Sequence, residues 1–214
     1  MVMAASVQQA TDVLAEQLPP FSINETTGLP PQCSELQRNF GHCVYLIYQG
    51  MIHNTRLAAS AVGTARDVQV VQELYQEDWW LARLAAKDLS AVWQRQSSHN
   101  YEITAFEAYT DMYVLTGEHR YLDAMQGAWG MFRDYWIHVG GSIAINEGGS
   151  YPPGSYYLGL KPTGELCGSS FWIRFNQRFH RLWPGTEIYS AEIERSLWNV
   201  ILAGKSMDCP LSNR

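Results

Sequence analysis

Charge is scarce in this chain. Only 17% of its 214 residues are Asp, Glu, Lys or Arg, and the acidic ones prevail, giving a net charge of −6. No basic stripe interrupts that balance, which excludes a phosphate-backbone footprint and with it nucleic acid as a partner. Long apolar runs are missing, so the sequence predicts no membrane span. The N-terminus, MVMAASVQQATDVLAEQL, lacks the basic region and continuous apolar stretch of a secretory leader and reads as an amphipathic helix; the compartment is left open. Cysteine is sparse, at positions 33, 43, 167 and 209. That spacing makes neither a metal clip nor a disulfide framework, and Cys33 and Cys43 read as buried free thiols. Also missing are a Ser-His-Asp order, a GxSxG elbow, an HExxH pair, a phosphate loop and a dinucleotide fingerprint. Strand-like alternation is rare.

What is present is apolar and aromatic: 46% of the residues are hydrophobic, with eight Trp and twelve Tyr. That is enough for a substantial core, and aromatic rings also suit the C–H faces of sugars. Apolar residues recur at helical spacing almost throughout. The pattern predicts helices over about 4–18 and 34–49, then a long helical stretch over 54–94 divided at Gly63. Further helices fit 101–115, 118–137, 165–182 and 186–202. Between them, residues 140–164 form a stretch rich in Gly, Pro and Tyr and nearly free of charge. A loop of that length in a compact domain is ordinarily functional.

One internal echo organises the second half. LTGEHRYLDAMQGAW (115–129) and LWPGTEIYSAEIERSLW (182–198) share a plan. Each has a Leu, a turn closing on Gly117 or Gly185, a Tyr four residues on (Tyr121, Tyr189), and then a Trp (Trp129, Trp198). The glycines are expected to be left-handed helix caps. The echo predicts antiparallel helical hairpins with a period near 70 residues, as in a solenoid or a closed α/α toroid. The fold class is therefore all-α, a single domain over 1–214 with the long loop at the mouth of the hairpins.

Candidate chemistry concentrates around that loop. Glu147, in INEGGSYPP, is its only carboxylate. A glutamate among glycines, prolines and tyrosines, Tyr151 included, can be a partly desolvated acid suited to protonating a glycosidic oxygen, or an ordinary solvated residue. In PTGELCGSS, Glu165 is explained by a helix N-terminus, where a carboxylate is favourable. Cys167 is not explained by capping; it is either a small buried residue or, with Glu165, half of a metal site. His99, His138, His180 and Cys209 are the available complements, none with diagnostic spacing. His99 opens a helix and can either cap it or hydrogen-bond a substrate hydroxyl. Glu102 reads as a capping residue and Glu107 as a polar contact.

Taken together, residues 98–204 resemble the catalytic helical barrel of glycoside hydrolase family 127, the β-L-arabinofuranosidase family. The elements occur in the same order: HNYEITAFEAY, LTGEHRYLDA, the Glu-bearing GGSIAINEGGSYPPG, GELC (similar to the family's Glu-Thr-Cys motif) and IERSLWNVILAG. The resemblance implies an (α/α)6 barrel that removes terminal L-arabinofuranose with retention. Glu147 would be its general acid/base, and Glu165 and Cys167 zinc ligands; apart from the resemblance, His99 and Tyr151 are the candidate sugar contacts. In the family, a Cys-Cys-Pro-Pro motif completes the zinc site and supplies the nucleophile. This chain has no Cys-Cys pair, and Cys209-Pro210 follows the last helix too soon, with Asp208 where a first cysteine would stand. Phe171 and Trp172 also replace smaller residues. The expectation is an incomplete toroid whose open apolar edges favour self-association: a glycosidase for L-arabinofuranosyl or related sugars if the missing half of the barrel is supplied, and inactive as this fragment alone. Two alternatives are a non-catalytic carbohydrate-binding or scaffold protein, and an epimerase-type barrel relying on His99 and other histidines in place of Cys167.

Overall fold

The structure, a computed structural model, describes residues 21–22, 50–53, 55–61, 63–76, 78–93, 99–143, 153–154 and 166–204. Residues 50–53 and 55–58 are helical. Helices α1 (Ala65–Leu74), α2 (Asp78–Ala85) and α3 (Ser90–Trp93) follow. The longer α4 (His99–Thr116), α5 (His119–Tyr135) and α6 (Leu166–Leu182) come next. The last, α7 (Glu187–Ser196), runs into a π-helical turn, Leu197–Leu202. One two-residue parallel pairing, β1 (Phe21–Ser22) with β2 (Tyr75–Gln76), and one isolated bridge, Ile137 with Ile143, are the exceptions to an all-α architecture among the described residues. The helices expected over 4–18 and 34–49 lie outside the described residues.

The stretch expected as one helix pair over 54–94 is more broken than its periodicity suggests. Gly63 divides it as expected: a Cβ there would lie 2.0 Å from the Ala58 carbonyl oxygen. A capping box then starts α1, with Thr64 N–H donating to Asp67 Oδ2 at 2.6 Å and Asp67 N–H donating to Thr64 Oγ1 at 3.3 Å. The second break, after Ala85, is made by Lys87 at φ 55 and by Asp88, which accepts from Ser90 N–H (3.0 Å) and Arg83 Nε (2.8 Å). The Ser90 bonds, then Arg83, hold the Asp88 carboxyl below the usual carboxylate range. Neither signal alters hydrophobic spacing, so periodicity does not report them.

The two hairpins are α4–α5 and α6–α7. Gly117 is the expected left-handed cap, at φ 73 with its N–H on Tyr113 O at 2.8 Å. Gly185 is not: its φ lies outside the left-handed region, and that turn closes instead through Thr186 N–H on Trp183 O at 3.0 Å. The proline at 184 presets the bend, so no left-handed residue is needed. Helices α4 and α6 are parallel and in register. Asn100 meets Cys167 and, eleven residues on, Asp111 meets Arg178, both pairs 67 residues apart. The period near 70 inferred from the echo is thus a physical stacking of one hairpin beside the next.

The position of α4 between α5 and α6 buries every residue from Glu102 to Thr110. Its small and apolar residues meet a continuous aromatic layer. Phe106 lies edge-on to Phe132 (ring centroids 5.2 Å apart), Trp129 stacks on Trp172 (6.1 Å), and Phe175 packs on Phe179 (4.9 Å). Such contacts add to the area burial of rings this large. Two indole N–H groups buried in the layer find partners inside it: Trp129 Nε1 donates to Asn176 Oδ1 and Trp80 Nε1 to Ala91 O, each at 2.8 Å.

Candidate functional site

Because α4 and α6 run parallel, both begin at the same end of the molecule, and antiparallel α5 finishes there. The chain leaving α5 makes a tight reversal in which Ile137 and Ile143 form an antiparallel bridge and His138 N–H donates to Ser142 O at 2.8 Å. Gly141, at φ 90, packs so closely on α7 that a Cβ would lie 2.8 Å from Ser196 Oγ, which itself donates to Gly141 O at 2.8 Å. Farther along, Gly154 N–H returns to Tyr135 O at 3.2 Å. The described parts of the segment joining α5 to α6, residues 137–143 and 153–154, are therefore tied to the end where α4 and α6 start, while the rest of the long loop expected over 140–164 lies outside the described residues.

That end carries a dense polar cluster on a buried helix turn. His99, Asn100 and Glu102 are 0%, 3% and 1% exposed. Burying three such groups in one turn is costly unless they pair. His99 Nδ1 lies 2.8 Å from Glu102 Oε2, so Glu102 binds the histidine ring and does not act only as the capping residue expected of it. The ring stands edge-on to Phe132 (5.3 Å) and beside Trp136 (5.2 Å), fully enclosed. Asn100 Nδ2 donates to Cys167 Sγ at 3.2 Å, across from α4 to α6. Cys167 is exposed. Of the residues singled out by sequence, His99 and Cys167 thus come to the same end of the fold, one enclosed and one accessible. Glu147, Tyr151, Glu165 and Cys209 lie outside the described residues, as do Cys33 and Cys43. Among the described residues, no group of three His, Cys, Asp or Glu side chains could hold a metal ion. Asn100 stands in the HN pair that opens the resembling segment, but sequence reasoning gave it no role.

Deeper between the same helices lies an ion network. Arg178 donates through Nε and Nη2 to Asp111 (2.8 Å each) and through Nη1 to Glu107 Oε2 (2.6 Å). Arg174 Nε adds a second cation to Glu107 Oε2 at 2.9 Å, and Arg56 approaches Asp111 at 3.6 Å. The expected polar-contact role of Glu107 is met. Burial outweighs the pull of Arg178 and Arg174 and pushes the Glu107 carboxyl up to about 7. Unfolded, the same group titrates near its ordinary value of 4.5. The native state therefore holds the extra proton between those values. Its contribution to stability is present at low pH and is lost as pH rises through about 7, amounting to a few kcal/mol. Denaturation of the parent chain and of Glu107→Gln, at about pH 5 and about pH 8, is expected to show the parent losing stability relative to the variant as pH rises. Parallel pH profiles would refute it. A separate shallow groove, lined by Asp78, Leu81, Ala82, Ala85, Arg120 and Asp123, lies between α2 and the start of α5, at the opposite end of α5 from the polar cluster.

No family model matches the sequence, and no curated protein matches it significantly. Solved structures share its fold. One, "The GH127, Beta-arabinofuranosidase, BT3674", is 17% identical with a TM-score of 0.56, covering 73% of this chain and 25% of that one. Another, "Glycoside hydrolase", is 18% identical with a TM-score of 0.60, covering 93% of this chain and 34% of that one. The chain thus spans only a quarter to a third of the length of these structures. At these identities the likeness is one of fold, and it agrees with the all-α hairpin architecture. No described helix is long and apolar enough to cross a membrane.

Proposed function

We propose that the chain is part of a glycoside-hydrolase-like α/α toroid acting on terminal L-arabinofuranosyl or related sugar residues, with retention. The observation that carries this reading is the meeting of α4, α6 and the α5–α6 connection at one end of the fold, a fold shared with solved glycoside hydrolases. On this reading Glu147 is the general acid/base. Its loop would desolvate the carboxyl and keep it protonated for the departing oxygen. Tyr151 would contact the sugar, and His99 would support it from the enclosed wall formed with Phe132 and Trp136. Glu165 and Cys167 would hold zinc; the described member, Cys167, is exposed and accepts an N–H bond, as a metal-bound thiolate does. When bound, zinc would keep cysteine sulfur in the thiolate form.

The test is hydrolysis of an aryl α- or β-L-arabinofuranoside, followed by NMR of the released anomer. Glu147→Gln is expected to lose about 10²–10⁴-fold in kcat/KM. Full activity in that variant would remove Glu147 from the mechanism. The second reading is sugar binding without turnover. Saturable arabinofuranoside binding by a hydrolytically silent chain would select it.

A further inference from the structure

We infer that the ion network joining residues 55–58, α4 and α6 is an oxyanion-binding site, taking a carboxylate or sulfate group of a small ligand on Arg174 and Arg56. The inference does not depend on the function proposed above. Three guanidinium groups, of Arg56, Arg174 and Arg178, face two carboxylates, of Glu107 and Asp111. The network thus holds a surplus positive charge in a chain whose net charge is −6. Arg178 is enclosed and gives three nitrogens to the two carboxylates. Arg174 and Arg56 are different. Their closest approach to a carboxylate is through Nε, at 2.9 and 3.6 Å, and their side chains are 36% and 60% exposed. No hydrogen bond runs from their Nη nitrogens to any described residue. Each therefore presents an open guanidinium edge, the group best matched to a planar or tetrahedral oxyanion. Phe171, one of the bulky residues after GELC, braces the first of them: Arg174 Cζ lies 5.5 Å from its ring centroid.

Glu107 sets how firmly Arg174 is held. Its Oε2 faces both Arg178 and Arg174, while its buried Oε1 has no hydrogen-bond partner. A proton taken up by the carboxyl therefore settles on Oε1 and weakens the attraction of Oε2 for Arg174. The charged groups facing this carboxyl are Arg178 and Arg174 on α6, Asp111 on its own helix, and Arg56. Burial, opposed by the three arginines, places its titration at about 7. An anion on the arginines disfavours the ionised carboxyl still further. Binding is therefore accompanied by proton uptake and is tighter at low pH.

Isothermal titration with sodium sulfate and with sodium glucuronate tests the site, with ionic strength held constant by chloride and neutral glucose as the control. Saturable binding of sulfate supports a site for any oxyanion; binding of glucuronate alone supports one for an acidic sugar. Affinity is expected to fall about 10-fold or more in Arg174→Met and in Arg56→Met. It should be unchanged in Arg181→Met, an exposed arginine of α6 outside the network. Circular dichroism establishes that each variant keeps the fold, and the two arginines lie on separate elements, so either variant suffices. Between about pH 8 and about pH 6 the parent should gain affinity several-fold, with a heat that varies with the buffer's ionisation enthalpy, and Glu107→Gln should flatten that gain. No saturable binding of either anion, equal binding of glucose, or parent-like affinity in folded Arg174→Met and Arg56→Met would overturn the inference. A pH profile that Glu107→Gln leaves unchanged would refute the coupling to Glu107.

Discussion

Arg178→Met is expected to destabilise the fold by about 3–5 kcal/mol, the loss typical of removing one partner from a buried ion network. Arg178 is 7% exposed, and its three guanidinium nitrogens divide between Asp111 and Glu107. Methionine fills much of the space of the aliphatic stem but leaves two carboxylates facing each other. Arg174 remains on Glu107 and Arg56 on Asp111, but both are solvent-facing, at 36% and 60% side-chain exposure, and cannot replace a buried fork. Glu107 can escape by taking a proton, which its carboxyl, already held up by burial, does readily. The loss should therefore be larger at about pH 8 than at about pH 5, and Glu107→Gln added to Arg178→Met should recover part of it at the higher pH. Urea denaturation of the four chains in this cycle provides the measurement. A loss below about 1 kcal/mol for Arg178→Met would show that the network is no more than a surface pair.

Gly127→Ala is expected to cost about 3 kcal/mol or more, the severe end of overpacking. The α2 backbone lies directly on this position of α5. A Cβ at Gly127 would stand 2.0 Å from the Leu84 carbonyl oxygen, 2.9 Å from its carbon and 3.3 Å from Ala85 Cα. These are backbone atoms, so no rotamer change relieves the clash. The helices must separate, and the packing of fully buried Trp80 and Leu84 is disturbed with them. Gly130 is the internal control, since a Cβ there meets nothing within 4 Å. Gly130→Ala should stabilise the chain by up to about 1 kcal/mol through helix propensity alone. Opposite shifts in melting temperature for the two glycines three residues apart are the expected result; equal shifts would mean that α2 does not dock as described.

The helices of the second half were legible because their signal is local. Apolar spacing and the Gly117 cap both act within a few residues, and boundaries expected at 165–182 and 186–202 correspond to α6 and to α7 with its π-helical turn. The echo gave the right repeat but a partly wrong correspondence. Tyr121 and Tyr189 do occupy equivalent places, 68 residues apart. At the same spacing the counterpart of buried Trp129 is Leu197, and Trp198 turns outward at 64% exposure. A one-residue difference rotates a side chain by about 100° around a helix, so a similarity of letters does not settle which face a residue occupies.

The sequence by itself determined that the chain is helical and that its hairpins repeat. Those properties follow from residue-by-residue preferences and periodicity. Only the tertiary structure decided which side chains meet. The parallel register of α4 and α6 brings Asn100 to Cys167 and Arg178 to Glu107 and Asp111 across 67 to 71 residues of chain. No local pattern specifies such pairs, because they arise from how two helix surfaces interlock. The same interlocking enclosed His99, left Cys167 accessible, and raised the Glu107 carboxyl to about 7 by shutting out water.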